Sequence, residues 1–228
     1  MENPWKNINW NQLYAKCDEE ILNSTRFQDK IQINTLPEPF AGNVNSSVIC
    51  LNGNPGRIDS NFTKENKEKD SVFIPKEYKE LFYNELIENL NLRYKEFFWL
   101  SEKIAPTKHD GIGWWQKMTK SLQKELGHKP QLFVLEFFPY HSSKMFAFPS
   151  LPSDEFRNHL LRKAMDENKL IIIMRAQSKW EGIKENGLGE DLKNYANKII
   201  LHNPQRVYLT KNNMGEENWE KFLSALSK

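Results

Sequence analysis

The chain has 228 residues, 39% of them apolar, enough for one sizeable hydrophobic core, so a single globular domain spanning 1–228 is the default. Charged residues make up 27% and are nearly balanced, 32 basic against 30 acidic, so no overall basic field points to nucleic acid and any such partner must be held locally. Cys17 and Cys50 are too few for a four-thiolate cluster or a structural zinc. No apolar run approaches membrane-spanning length and no basic-then-apolar leader opens the chain, so a cytoplasmic protein without membrane contact is expected.

In chain order, Trp10, Leu13, Tyr14, Cys17 and Ile21 fall at helical spacing and predict an amphipathic helix over 10–22. An irregular arm with Pro37 and Pro39 follows, and residues 1–46 are expected to pack on the domain as helix and arm. Val48 to Leu51 is an apolar run of strand length that stops at Asn52-Gly53-Asn54-Pro55-Gly56, which cannot continue a strand. Pro55 fixes its own φ and biases Asn54 toward an extended backbone, while Gly53 and Gly56 permit positive φ and close approach of a ligand. The expected product is a rigid loop that presents the Asn54 side chain at the carboxyl end of a strand. Residues 58–72 are polar and mixed in charge, which predicts an exposed, mobile insertion.

From Pro75 the spacing of Tyr78, Leu81, Phe82, Leu86 and Leu90 predicts a helix, and Trp115, Met118, Leu122 and Leu126 predict another that stops at Gly127. Residues 132–138 form an apolar run broken only by Glu136 and closed by Pro139. Ser153 is placed to cap a helix carrying Phe156, Leu160, Leu161 and Ala164, and residues 170–174 form the cleanest buried strand. A weaker helix over 188–196 leads to an apolar run from Lys198, a break at residues 202–205 and a final helix with Trp219, Phe222, Leu223 and Leu226, where Asn213 and Glu216 fit a reciprocal cap. Strands alternating with helices at this spacing predict a three-layer α/β/α domain around a mostly parallel sheet.

Each central strand ends in a polar, proline-marked or basic loop: residues 52–57, 139–144, 175–179 and 202–205. In a parallel sheet these ends share one edge and converge on one cleft, which would hold Arg57, Lys144, Arg175 and Lys179 as phosphate-binding charge. Chance alone places about three basic residues in such loops, so their number decides nothing. Glu136 weighs more, because an ionised carboxylate in an apolar strand is expensive to bury. It is either paired as a structural group or faces the cleft, where it reads a ligand donor or moves a proton. No phosphate loop, dinucleotide fingerprint or Gly-x-Ser-x-Gly appears, and His109, His141 and His202 have no metal-ligand spacing.

The order Leu51-Asn-Gly-Asn-Pro-Gly56 after the first strand, Phe133-Val-Leu-Glu-Phe-Phe-Pro-Tyr140 at the second, an apolar third strand and His202-Asn-Pro-Gln205 before a Trp-containing final helix resembles the uracil-DNA glycosylase superfamily. The nearest branch is the single-strand-selective monofunctional glycosylases, whose first motif contains Asn-Pro-Gly. The resemblance implies a sheet of four parallel strands whose carboxyl edge accepts a base flipped out of DNA, single-stranded DNA included, in a monomer that needs no cofactor. Asn54 matches the residue that orients a water toward the sugar C1′, and His202 lies near the loop that supplies a donor to the leaving base. Here that loop reads His-Asn-Pro-Gln, and residues 210–213 are an alternative source. Phe73 is the candidate that stacks on the base, while Gly53, Pro55, Gly56, Phe137, Tyr140, Asn203 and Gln205 complete the base-binding set.

Glu136 departs from the pattern, standing where the family often places an Asn that reads the uracil edge. An amide donates and accepts; an ionised Glu only accepts, so it disfavours uracil unless protonated and favours a base that presents amino or ring N–H donors. The sequence therefore leads to a DNA glycosylase-like enzyme acting on a damaged or non-standard base. Its alternatives are a non-catalytic nucleic-acid or nucleotide-binding module on the same fold and an enzyme acting on free nucleosides.

Overall fold

The computed structural model describes residues 1–6, 8, 12–24, 30–33, 35–56, 76–107, 109–142 and 147–227. Its strands are β1 (Ile31–Gln32), β2 (Phe40–Gly42), β3 (Val48–Asn52), β4 (Phe133–Glu136), β5 (His141–Ser142), β6 (Leu170–Ile173) and β7 (Lys198–Ile200). The helices are α1 (Glu19–Leu22), α2 (Lys79–Leu90), α3 (Asp110–Leu126), α4 (Asp154–Asp166), α5 (Gln177–Trp180), α6 (Leu188–Asn194), α7 (Lys211–Met214) and α8 (Glu216–Leu226). The order β2-β4-β3-β6-β7 makes a five-stranded sheet, parallel throughout except that β2 runs antiparallel to β4. Every residue of β3, β4 and β6 is buried; because side chains alternate between faces, both faces of the sheet are covered.

The expectation of four strands is corrected to five. The additional strand, β2, comes from the arm after Pro39 and is only three residues long, too short for alternation to register. Asn89 of α2 holds it: its Nδ2 donates to the Phe40 carbonyl at 2.9 Å and its Oδ1 accepts the Gly42 N–H at 2.8 Å. Gly42 has φ +104, and a Cβ there would lie 2.2 Å from the Leu132 carbonyl oxygen, so no other residue fits.

Local expectations fail where tertiary bonds compete. Instead of a helix over 10–22 there is a 3₁₀ turn, Lys16–Asp18, followed by the single turn of α1, and Trp10 lies outside the described residues. The extended Ala15 gives its N–H to the Tyr140 hydroxyl, and buried Asp18 accepts from that hydroxyl at 2.8 Å and from the Ser153 hydroxyl at 2.6 Å. Ser153 sits at the start of α4, but this bond diverts its hydroxyl from capping. The Asn213 and Glu216 cap is also absent: Thr210 caps α7, α8 starts after Gly215 with φ 84, and Glu216 pairs with Lys211 at 2.6 Å. The insertion at 58–72 lies outside the described residues.

Since Asn89 is fully buried, Asn89→Ala leaves both β2 backbone groups without partners. The expected cost is about 2–4 kcal/mol, read as a lower urea midpoint with an unchanged slope.

Candidate functional site

Parallel pairing puts Asn52, the last residue of β3, directly opposite Glu136, the last residue of β4. Their side chains meet there, Asn52 Nδ2 donating to Glu136 Oε1 at 2.8 Å. The connection leaving β3 runs to β4 on one side, and that leaving β4 crosses back past β3 to β6 on the other. Right-handed crossovers then depart to opposite faces and open a crevice above these two strand tips. A hollow of about 230 Å³ lies there, with Asn52, Asn54, Glu136, Arg175, His109 and Trp114 among its lining residues.

The Asn-Pro-Gly loop is held by the segment after β4. Phe138 N–H donates to the Gly53 carbonyl at 2.9 Å and Ser142 N–H to the Pro55 carbonyl at 3.3 Å. The Asn54 Nδ2 donates to the Pro55 carbonyl and the Ser142 hydroxyl, each at 2.8 Å. Both amide hydrogens are thereby committed, and Asn54 Oδ1 accepts no bond among the described residues. Contrary to expectation, neither Gly53 nor Gly56 has positive φ; these external bonds fix the loop.

His141 completes the clamp. Its Nδ1 lies 2.6 Å from the Gly56 carbonyl oxygen, and its Nε2 lies 3.1 Å from Glu38 Oε1, close enough for an ion pair but misaligned for a hydrogen bond. Acceptors near both nitrogens favour the doubly protonated ring. Burial works against that charge, but Glu38 and the carbonyls of Gly56 and Leu36 outweigh it and leave the pKa above the ordinary histidine value.

The opposite wall is aromatic. His109 caps α3 by accepting the Gly111 N–H at 3.1 Å and stacks against Phe82 and Trp99 at 4.9 and 5.0 Å. Burial lowers its pKa, in keeping with a neutral ring whose Nδ1 accepts. A Cβ on Gly111 would come within 2.7 Å of the Trp99 ring, so glycine lets the first turn of α3 close onto it. Arg175, half-buried after β6, lies over the Trp114 ring at 5.8 Å and has no carboxylate partner among the described residues. Its neighbour Ala176 is held at φ 55, a left-handed conformation that costs a non-glycine residue about 1–2 kcal/mol.

The hollow thus unites Asn54, Pro55, Gly56, Glu136 and Arg175 from the sequence-derived set, with the buried Gly53 just behind. Tyr140 is buried against Asp18, and Phe137 packs under Arg157 and edge-on to Trp180; neither lines the hollow. Lys179 stands over the rings of Phe137 and Phe148 at 5.8 and 5.6 Å. His202, Asn203 and Gln205 are exposed and away from it. The alternative source, Asn213, is spent on its own loop, accepting from Asn203 N–H and donating to the carbonyls of Arg206 and Tyr208. Arg57, Phe73 and Lys144 lie outside the described residues. Sequence reasoning passed over Asn52, Glu38, His109, Trp99 and Trp114, although Asn52, a polar residue ending an apolar run like Glu136, carried the same signal. Among the described residues no group of three His, Cys, Asp or Glu is placed to hold a metal ion, and no helix is long and apolar enough to cross a membrane.

Burial pushes the Glu136 carboxyl up to about 8; Glu38 adds to this, while the Asn52 bond and Arg175 oppose it. Between the ordinary value of 4.5 and about 8, the unfolded chain has released this proton and the folded chain keeps it. Stability therefore falls as pH rises through that window and levels off above it, by roughly 5 kcal/mol from this group. His141, also raised, adds a loss in the same direction above neutral pH, so only a variant isolates the first term. Denaturant unfolding at about pH 5 and pH 8.5 is expected to show a distinctly smaller loss for Glu136→Gln than for the unsubstituted chain. No family model, curated protein or solved structure matches this chain, so what the hollow does must follow from its own residues.

Proposed function

We propose that the chain is a DNA glycosylase-like protein with a three-layer, uracil-DNA glycosylase-like fold, hydrolysing the N-glycosidic bond of a damaged or non-standard base without a cofactor. The observation that carries this reading is the meeting of Asn54 and Glu136 in one hollow at the carboxyl edge of the parallel strands. At about 230 Å³ it falls below the usual range for drug-sized ligands and suits a single planar base. A base reaches it only when turned out of the stack, which costs least in single-stranded DNA.

In this reading the free Asn54 Oδ1 accepts a hydrogen bond from water and aims it at the sugar C1′. A neutral amide is a poor proton acceptor, so most of the acceleration comes from stabilising the departing base. With His202 outside the hollow, the Arg175 guanidinium, which has no carboxylate partner among the described residues, supplies positive potential for that anion. Trp114 offers a stacking face, and Glu136 with Asn52 meets the edge of the base. Arg175 and Lys179 hold phosphates alongside Arg57 and Lys144. A second reading, a binding module without catalysis, draws support from the exposed fourth loop, which brings no donor to a leaving group.

Single- and double-stranded oligonucleotides carrying uracil, hypoxanthine, xanthine and alkylated bases separate the two. At least one is expected to yield abasic product, with Asn54→Ala slowing turnover by roughly 10²-fold and Trp114→Ala weakening binding about tenfold. Absence of product across the panel, together with binding that Lys179→Ala weakens, would leave the binding module standing.

A further inference from the structure

Between Asp110 and Glu125, which close its two ends, α3 carries no acid, and its charged residues there are Lys117, Lys120 and Lys124. With Gly113 they recur at intervals of four, three and four, so they line one side of the helix. All four are exposed, whereas Trp115, Met118 and Leu122 on the other side are buried. Cations of other helices are paired, Arg162 with Asp191, Lys193 with Glu190 and Lys211 with Glu216. Among the described residues the three lysines of α3 have no carboxylate partner. Lys117 Nζ stands over the half-buried Tyr208 ring at 5.9 Å, and Leu209 N–H ties that segment to the Met118 carbonyl at 2.9 Å. Near the start of the helix Arg175 stands over Trp114 in the same way. The rings hold two cations in place without neutralising them.

This face is continuous with the hollow. Asp110, Gly111 and Trp114 line the hollow, and Gly113, Gln116, Lys117, Lys120 and Gln123 line an open groove of about 500 Å³ on the turns that follow. From Trp114 to Lys124 the helix rises about 15 Å. We propose that this outer face of α3 is a track for a single strand of nucleic acid, the three lysines meeting successive phosphates as the strand leads away from the hollow. The proposal rests on the base-site reading for where the strand begins and adds the surface over which the rest of it runs. A chain with 32 basic and 30 acidic residues has no general field for a polyanion, so a local row of unneutralised cations must supply the attraction. Met1 is the one large apolar side chain exposed among the described residues, so α3 presents nothing for an amphipathic helix or a lipid tail to bury. A single strand also bends freely from the hollow onto a straight helix, which a duplex does not.

Fluorescence anisotropy of the full chain with labelled, unmodified oligothymidylates of increasing length tests the track. Affinity at low salt is expected to rise by about tenfold or more between a trimer and a dodecamer. The triple variant Lys117→Ala, Lys120→Ala, Lys124→Ala is expected to lose most of that gain, and the slope of log affinity against log salt should shrink by about 2. All three side chains are exposed, so the fold is untouched. Lys163→Ala, Lys184→Ala, Lys193→Ala removes as much charge from exposed positions elsewhere and should leave the gain in place. No gain with length, an equal loss in the second triple variant, an unchanged salt slope, tighter binding of a duplex of the same length, or equal competition by polyglutamate would each overturn the proposal. A length gain that depends on α3, without abasic product from any damaged oligonucleotide, keeps the track and removes the glycosylase; abasic product with no effect of the α3 lysines does the reverse.

Discussion

The parallel register that sets Asn52 against Glu136 is the constraint from which the rest of the site follows. Strands β3, β4 and β6 are buried on both faces, so polar side chains have room only at their tips, and the tips of two neighbours carry an amide and a carboxyl. A slip of one residue would turn both side chains to the other face and separate them from the loop that follows β3. The hydrogen bond between them satisfies one end of each group and leaves Asn52 Oδ1 and Glu136 Oε2 buried without a partner among the described residues. That is a poor solution for stability alone.

What surrounds the tips is stiff. The residues from Gly53 to Gly56 hang on the segment from Phe138 to Ser142 by bonds of three kinds: backbone to backbone at Gly53 and Pro55, side chain to side chain at Asn54, and imidazole to carbonyl at Gly56. That segment is fastened in turn by the pairing of β5 with β1 and by Tyr140 against Asp18. The Asn54 amide is consequently oriented before any ligand arrives, and orienting a group in advance removes an entropic cost from the step that uses it. A proline alone would not do this; it restrains Asn54 and itself but cannot choose which way the amide points.

The central strands β3, β4 and β6 were legible because burial on both faces leaves an apolar run, and Glu136 because it interrupts one; β2 was too short to register. Asn54 was legible through the Pro and Gly beside it. Glu38, His109, Trp99 and Trp114 were not, since they come from a proline-flanked arm and from the neighbourhood of a helix start, and no local spacing announces that these meet the strand tips Asn52 and Glu136, 14 to 98 residues away in the chain. His202 was misjudged for a geometric reason. It follows β7, two strand positions from β3, and neighbouring strands lie about 4.8 Å apart, so its loop ends roughly 10 Å to the side of Asn52. There Asn213 ties it down beside α7. The short N-terminal helix and the diverted Ser153 share another cause, a buried carboxylate at Asp18 that takes donors which local rules assign elsewhere.

Charge balance gives the neutral acid a consequence beyond its own hydrogen bond. Among the described residues around the hollow, the cations are His141 and Arg175 and the other carboxylates are Glu38 and Asp110, which offset one another. An ionised Glu136 would tip the hollow negative; the protonated acid avoids this. Burial, which makes the ionised state expensive, is therefore the agent that keeps the hollow close to charge balance. Replacing the acid by an apolar residue would keep the charge balance but leave the buried Asn52 amide without its acceptor.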